Sequence, residues 1–238
     1  MNIIKIRSPN ISKKRRNLKN IKFLILHYTG MQSMRVSLKR LLNPKSKVSC
    51  HYLIDRSGQI IKLAEDNEVA WHAGKSKWKK FKNLNEKSIG IELVNKGHKF
   101  GYQKFSKPQI KNLLKLCVFL KKKYKIDKSC VLGHSDIAPL RKLDPGEKFP
   151  WLLLSQKGLS IWYPSKNKNL IFGEEKNKRK IFFKNLYKIG YRYFDKRRVS
   201  KKDSYLVKAF KRRFHQKKVN GKIDKKTLQI SHYLAKIS

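Results

Sequence analysis

Two short apolar runs, residues 21–27 (IKFLILH) and 131–134 (VLGH), each end in a histidine. Runs this short and this apolar read as strands buried inside a sheet. Tyr28-Thr29-Gly30 breaks the first run. The second opens the stretch 132–151, LGHSDIAPLRKLDPGEKFPW, a Pro/Gly-rich loop that carries His134, Lys142 and Asp144. Ends of neighbouring strands can converge, so the first part of the chain is organised to bring His27 and the 134–144 segment together around one metal ion.

The remaining segments supply a frame for that meeting. Residues 1–20 are polar and basic and are expected to lie on the surface. A short helix is expected over 33–42, with Ser33 as N-cap and Val36, Leu38, Leu41 and Leu42 apolar. Residues 48–55 and 59–63 flank Arg56-Ser57-Gly58 and read as a hairpin. AWHAG at 70–74 and the polar 75–87 read as loops. In SIGIELVN (88–95), Ile89, Ile91 and Leu93 alternate with Gly90, Glu92 and Val94, so a strand here puts Glu92 on the face opposite the isoleucines. The clearest helix begins at Lys107-Pro108, with Ile110, Leu113, Leu114, Cys117 and Val118 on one face. Cys117 is therefore core. One more short helix is expected over 151–159.

The pattern then changes. Residues 163–179 are polar, with Pro and Gly, and read as a linker. Three helical segments follow at about 181–189, 204–214 and 225–234, the last N-capped by Asp224. The expected division is 1–162, a linker 163–179, and a small helical domain 180–238.

Net charge narrows the function classes less than its size suggests. The chain of 238 residues carries 60 basic and 15 acidic side chains, a formal +45. A nucleic-acid binder concentrates such charge in a stripe, whereas these lysines are spread along the whole chain, so no specific nucleic-acid partner is expected. Cys50, Cys117 and Cys130 form no disulfide framework. No apolar signal region and no run of about 18 apolar residues appears. The expectation is a cytoplasmic location with no transmembrane segment; a periplasmic or cell-wall-associated location is the alternative.

Catalytic zinc takes three protein ligands and keeps a fourth position for water. His27, His134 and Asp144 are residue types that suit such a set, although spacing alone is a weak signal among seven histidines. Lys142 lies two positions before Asp144, so in an extended stretch both point the same way, and a lysine there suits an oxyanion. Glu92 is one of few carboxylates and suits a general base, or equally a solvated partner for one of the many lysines.

LILHYTGM, VSCHYLIDRSGQI, AWHAG, SIGIELVN and LGHSDIAPLRKLDPGEKFPW together resemble the zinc-dependent N-acetylmuramoyl-L-alanine amidases of the type-2 family, AmiD/AmpD-like. That family is related to the peptidoglycan recognition proteins. The five ordered blocks cover about residues 21–154. The resemblance implies an α/β fold, with a mixed central β-sheet flanked by helices and one Zn2+ in a surface groove. It implies ligand roles for His27, His134 and Asp144, a general-base role for Glu92 and an oxyanion role for Lys142. It also implies substrate contact for Trp71 and His72, though a packed loop aromatic accounts for Trp71 equally well. Cys50 stands where some relatives carry a tyrosine, which favours the branch that uses glutamate. His51 matches the family without an assigned role. AFKRRFHQKKVNGKIDKKTL resembles the three-helix peptidoglycan-binding domain often fused to these amidases. The expected partners are peptidoglycan or muropeptides, and the expected reaction is cleavage between N-acetylmuramic acid and L-alanine. The alternative is a recognition protein that binds peptidoglycan without cleaving it.

Overall fold

The computed structural model describes residues 2–164, 177–195 and 197–238. In chain order its elements are β1 (Ile3–Lys5), β2 (Phe23–Tyr28), α1 (Met34–Leu42), β3 (Tyr52–Ile54), β4 (Ile60–Lys62), β5 (Lys77–Trp78), β6 (Phe81–Lys82), β7 (Ser88–Leu93), α2 (Lys107–Lys123), β8 (Val131–Gly133), α3 (His134–Ile137), α4 (Trp151–Gln156), α5 (Lys178–Ile189), α6 (Lys202–Phe214) and α7 (Lys225–Lys236). Among the described residues six strands form one mixed sheet in the order β1-β4-β3-β7-β2-β8. Only the β3–β4 hairpin is antiparallel; β1–β4, β3–β7, β7–β2 and β2–β8 pair in parallel. The expected α/β fold with a mixed central sheet flanked by helices is the observed one. No helix among the described residues is long and apolar enough to cross a membrane.

The period of two along β2 divides its side chains between two cores. Leu24 and Leu26 join Ile89, Ile91 and Leu93 of β7 and pack against Leu113, Leu116, Cys117 and Leu120 of α2. Phe23 and Ile25 face the other way and share a core with Leu132, Ile137, Phe182, Phe183, Leu186 and Phe210. The sheet is thus covered by α2 on one face and by the C-terminal helices on the other, as a sheet with central parallel strands requires. Helix starts follow local chemistry. Ser33 Oγ accepts from Val36 N–H, Ser106 Oγ from Gln109 N–H and Asp224 Oδ1 from Thr227 N–H. Each satisfies a backbone donor that a helix N-terminus leaves free.

Three expectations are corrected by tertiary contacts. Residues 1–20 do not simply lie on the surface. β1 forms the edge of the sheet beside β4, and the buried Arg16 donates to the carbonyls of Asp66, Asn85 and Ser88 at 3.0, 3.0 and 2.6 Å. The basic side chain is held inside by these three carbonyls, which take up its N–H donors. The 75–87 segment carries the small β5–β6 ladder, and its Trp78 is buried edge-on against Tyr191. In α2, Val118 is exposed while Leu116 and Leu120 are buried, so the inward face lies slightly round from the expected one. Of the expected linker 163–179, residues 165–176 lie outside the described residues.

Because Phe210 of α6 shares one core with Phe23 and Ile25 of β2, Phe210→Ala is expected to cost about 3–5 kcal/mol. It should lower the midpoint of a single thermal transition followed by circular dichroism and calorimetry. A helical transition that moves while the sheet melts unchanged would show instead that the two parts unfold separately.

Candidate active site

β2 and β7 are parallel and in register with His27 beside Glu92. Neighbours in register point to the same face of a sheet, so these two side chains leave the sheet together near its C-terminal edge. β8 pairs with the other side of β2 and ends at Gly133, which delivers His134 as the first residue of α3. The loop bearing Asp144 is then folded back on α3. Ser135 N–H donates to the Asp144 carbonyl at 2.8 Å, and a Cβ on Gly133 would come within 2.7 Å of Pro145 Cδ. A side chain at position 133 would push this loop away.

These constraints bring His27, His134 and Asp144 together, all buried. His27 Nδ1 lies 3.0 Å from His134 Nδ1 and 2.9 Å from Asp144 Oδ2, and His134 Nδ1 lies 3.1 Å from the same Oδ2. Ligand atoms placed about 2.0–2.1 Å from a tetrahedral ion are roughly 3.3–3.4 Å apart, so the triangle is close to the size a zinc site needs.

Proton bookkeeping around the rings decides whether the triangle suits a cation. The Leu84 carbonyl can only accept, so Ser88 Oγ donates to it (2.6 Å). Ser88 Oγ is then left to accept from His72 Nε2 (3.2 Å). His72 Nδ1 is consequently unprotonated and accepts from His27 Nε2 (3.0 Å), which leaves His27 Nδ1 bare. His134 Nε2 likewise donates to the Ala73 carbonyl (3.0 Å), so the neutral ring presents Nδ1 as a bare lone pair. Two lone pairs and a carboxylate oxygen therefore converge with no proton between them. A divalent cation satisfies such a set, and the outer bonds orient the rings as they do around catalytic metals. Burial, reinforced by the neighbouring His134, lowers His27 to about 4 and so keeps it neutral.

A cavity of about 330 Å³ opens over the triangle. Glu92, Lys142 and Trp71 line it, as do Tyr28, Ser49 and Arg141, which the sequence patterns did not single out. Arg141 is the immediate neighbour of Lys142 and donates to the carbonyls of Ala73 and Lys75, fixing the loop opposite. Glu92 Oε2 is buried without a hydrogen-bond partner. Burial, reinforced by the Asp144 charge and opposed by Lys142, pushes the Glu92 carboxyl up to about 8. His72 lines the cavity but is buried, with both ring nitrogens engaged by His27 and Ser88. Gly90 leaves room for it, since a Cβ there would lie 2.4 Å from the His72 ring. His51 also lies below the site. Its Nδ1 accepts from Gly90 N–H (3.0 Å), and its Nε2 lies 2.8 Å from Arg16 Nη2 and 3.1 Å from the Glu68 carbonyl.

Residues 17–147 match the Amidase_2 family, N-acetylmuramoyl-L-alanine amidase. The chain belongs to the N-acetylmuramoyl-L-alanine amidases. It is 32% identical over 229 residues to the N-acetylmuramoyl-L-alanine amidase AmiD of Escherichia coli, covering 90% of this chain and 82% of AmiD. The 1,6-anhydro-N-acetylmuramyl-L-alanine amidase AmpD of Haemophilus influenzae is 34% identical over 164 residues, 61% of this chain and 86% of AmpD. The solved complex of E. coli AmiD with the substrate anhydro-N-acetylmuramic acid-L-Ala-D-gamma-Glu-L-Lys superposes with a TM-score of 0.82, at 30% identity, over 95% of this chain and 92% of that one. AmpDh3 of Pseudomonas aeruginosa in complex with anhydromuramic pentapeptide superposes at 0.80, with 28% identity, over 95% and 94%. This amidase is accordingly a hydrolase of the bond between muramic acid and L-alanine.

The Glu92 shift has a measurable consequence in the metal-free protein. Its carboxyl titrates near 4.5 when unfolded and near 8 when folded. Between those values the folded chain holds a proton that the unfolded chain has lost, so stability falls as pH rises through this window. The destabilisation is absent below the lower value and complete above the upper one. Glu92→Gln is expected to melt higher than the wild type at pH 8.5 and level with it at pH 4. A gain of roughly 1 kcal/mol would move the midpoint by about 2–4 °C. Equal melting at both pH values would show that Glu92 is solvated.

Proposed function

We propose that this amidase is zinc-dependent, with one Zn2+ held by His27 Nδ1, His134 Nδ1 and an Asp144 carboxylate oxygen. Its substrates are N-acetylmuramyl peptides, in muropeptides or peptidoglycan. The observation that carries the reading is the convergence of His27 Nδ1, His134 Nδ1 and Asp144 Oδ2 at 2.9–3.1 Å, in the same cavity as the unpartnered Glu92 oxygen. When bound, such an ion polarises a carbonyl and lowers the pKa of a water toward about 7.

The chain's own groups divide the remaining work. Glu92, held beside His27 by the strand register, takes the proton of the attacking water and returns one to the departing L-alanine nitrogen. The rising carboxyl pKa that burial imposes makes it a stronger proton acceptor than an exposed glutamate. Lys142 supplies positive charge to the carbonyl oxygen as it becomes an oxyanion. Trp71, half-buried at the cavity wall, offers a flat apolar surface to the sugar or the stem peptide. His72 keeps His27 in the tautomer that points its lone pair inward. AmiD is solved with an anhydro-muramyl tripeptide, so anhydro-muropeptides are the first substrates to test, and peptidoglycan recycling is the process such an activity serves.

The test is incubation of zinc-loaded and chelator-stripped protein with anhydro-muropeptides and with intact peptidoglycan, with products read by mass spectrometry. The expected result is zinc-dependent release of a peptide with a free L-alanine amine and of the intact sugar. Glu92→Ala should retain zinc and lose about 100- to 10,000-fold in rate. Lys142→Ala should lose about 100- to 1,000-fold. Binding of muropeptides without cleavage by the zinc-loaded wild type would make the chain a recognition protein.

A further inference from the structure

A buried ion pair joins α3 to α6, outside the groups assigned to the reaction. Asp136 lies two residues past His134, is 1% exposed and has both carboxylate oxygens engaged. Its Oδ2 accepts from Gly133 N–H at 2.8 Å and from Arg213 at 2.7 Å, and its Oδ1 accepts from the Tyr191 hydroxyl at 2.5 Å. Arg213 is 2% exposed, donates also to the Val131 carbonyl at 3.1 Å and stacks over the Trp151 ring at 4.3 Å. Gly133 and Val131 belong to the strand that delivers His134.

The same helix end grips the far side of that segment. Arg212 faces Glu147 at 4.0 Å, and Gln216 donates to the Phe149 carbonyl at 2.6 Å. Glu147 in turn pairs with His98, whose other ring nitrogen meets the Tyr28 hydroxyl at 2.9 Å. Residues 131–149, which hold His134, Lys142 and Asp144, are therefore clamped at both ends by Tyr191, Arg212, Arg213 and Gln216.

We propose that the C-terminal helices are a positioning device for the metal centre, in which Arg213 and Tyr191 hold Asp136 and, through it, set the orientation of His134. The inference rests on the metal assignment made above. Within the stretch that resembles a peptidoglycan-binding module, Phe210, Arg213 and Phe214 are buried, and Arg213 reaches Asp136 and the Val131 carbonyl. A buried arginine whose partner carboxylate is removed is left uncompensated, so this pair ties helix placement to the turn that carries a ligand. Outer groups that orient a metal ligand change affinity by about 10- to 100-fold when removed.

The experiment uses full-length protein stripped of metal. Zinc affinity is measured by competition with a chromophoric chelator, and the coordination geometry by the visible spectrum of the Co2+ form. Tyr191→Phe keeps the ring against Trp78 and removes only the bond to Asp136. Arg213→Met removes the charge and keeps much of the apolar bulk. Asn185→Ala is the control, since Asn185 is buried in the same helices and bonds to Ser231. Both clamp variants are expected to bind zinc on the order of 10-fold more weakly and to shift the Co2+ bands. The control is expected to lower the melting temperature and leave affinity and spectrum unchanged. If Arg213→Met does not fold, Tyr191→Phe carries the comparison. Unchanged affinity and spectrum in folded Tyr191→Phe, or equal weakening in the control, overturns the proposal while the metal assignment stands. A wild type that binds neither ion overturns both.

Discussion

The parallel register of β2 against β7 and β8 is the constraint on which the site depends. It sets His27 beside Glu92 and leaves His134 one residue beyond the paired part of β8. In parallel strands the ends that leave the sheet on one edge are also the ends where chain direction changes, so side chains from several segments meet there. Backbone pairing holds these positions more firmly than any side-chain contact within the site. The loop bearing Asp144 only has to close the remaining side, and it does so through backbone bonds to α3.

Around that geometry the second layer of polar groups acts on proton positions. A cluster of two imidazoles and a carboxylate can relax by sharing protons among its members, and would then repel a cation. The chain from the Leu84 carbonyl through Ser88 and His72 to His27 removes that freedom, because a carbonyl accepts and never donates. Burial acts in the same direction by disfavouring the charged imidazole. It also acts on Glu92, whose oxygen is left without a partner inside the protein. Unsatisfied buried oxygens are rare in folded chains because they are costly, and this one faces the cavity where a water and a substrate amide would meet.

The helical C-terminal part is joined to the rest in two ways that differ in kind. Phe182, Phe183 and Phe210 extend the core of the sheet, an interaction without direction that tolerates small shifts. The Arg213–Asp136–Tyr191 bonds are directional and lie two residues from a candidate ligand. Burying that ion pair is of uncertain benefit to stability in general, which makes specification of geometry the better account of its presence. The +45 charge stands apart from all of this. Its lysines lie mostly on the outside, whereas Arg16, Lys211 and Arg213 are buried where they meet carbonyls and carboxylates.

Much of the first part was legible from residue patterns. The apolar runs that end at His27 and His134 became β2 and β8, the alternation in 88–95 put Glu92 opposite Ile89 and Ile91, and the ordered motif blocks pointed to the amidase family. These are signals of period and residue type, and both survive in one dimension. What the chain alone did not disclose depends on partners distant in sequence. Residues 1–20 look like a polar surface segment because the carbonyls that Arg16 satisfies come from positions 66, 85 and 88. Residues 75–87 read as a polar loop because the cover for Trp78 comes from Tyr191. His72 gives no sign in the sequence that its ring nitrogens lie beside His27 and Ser88. Asp136, between two motif residues, carries no signal of its own, since only folding brings Arg213 and Tyr191 to its two oxygens. Local sequence determined which chemistry the strand ends carry; the tertiary structure decided which buried polar groups satisfy one another, because that choice is made by pairings between segments that no spacing encodes.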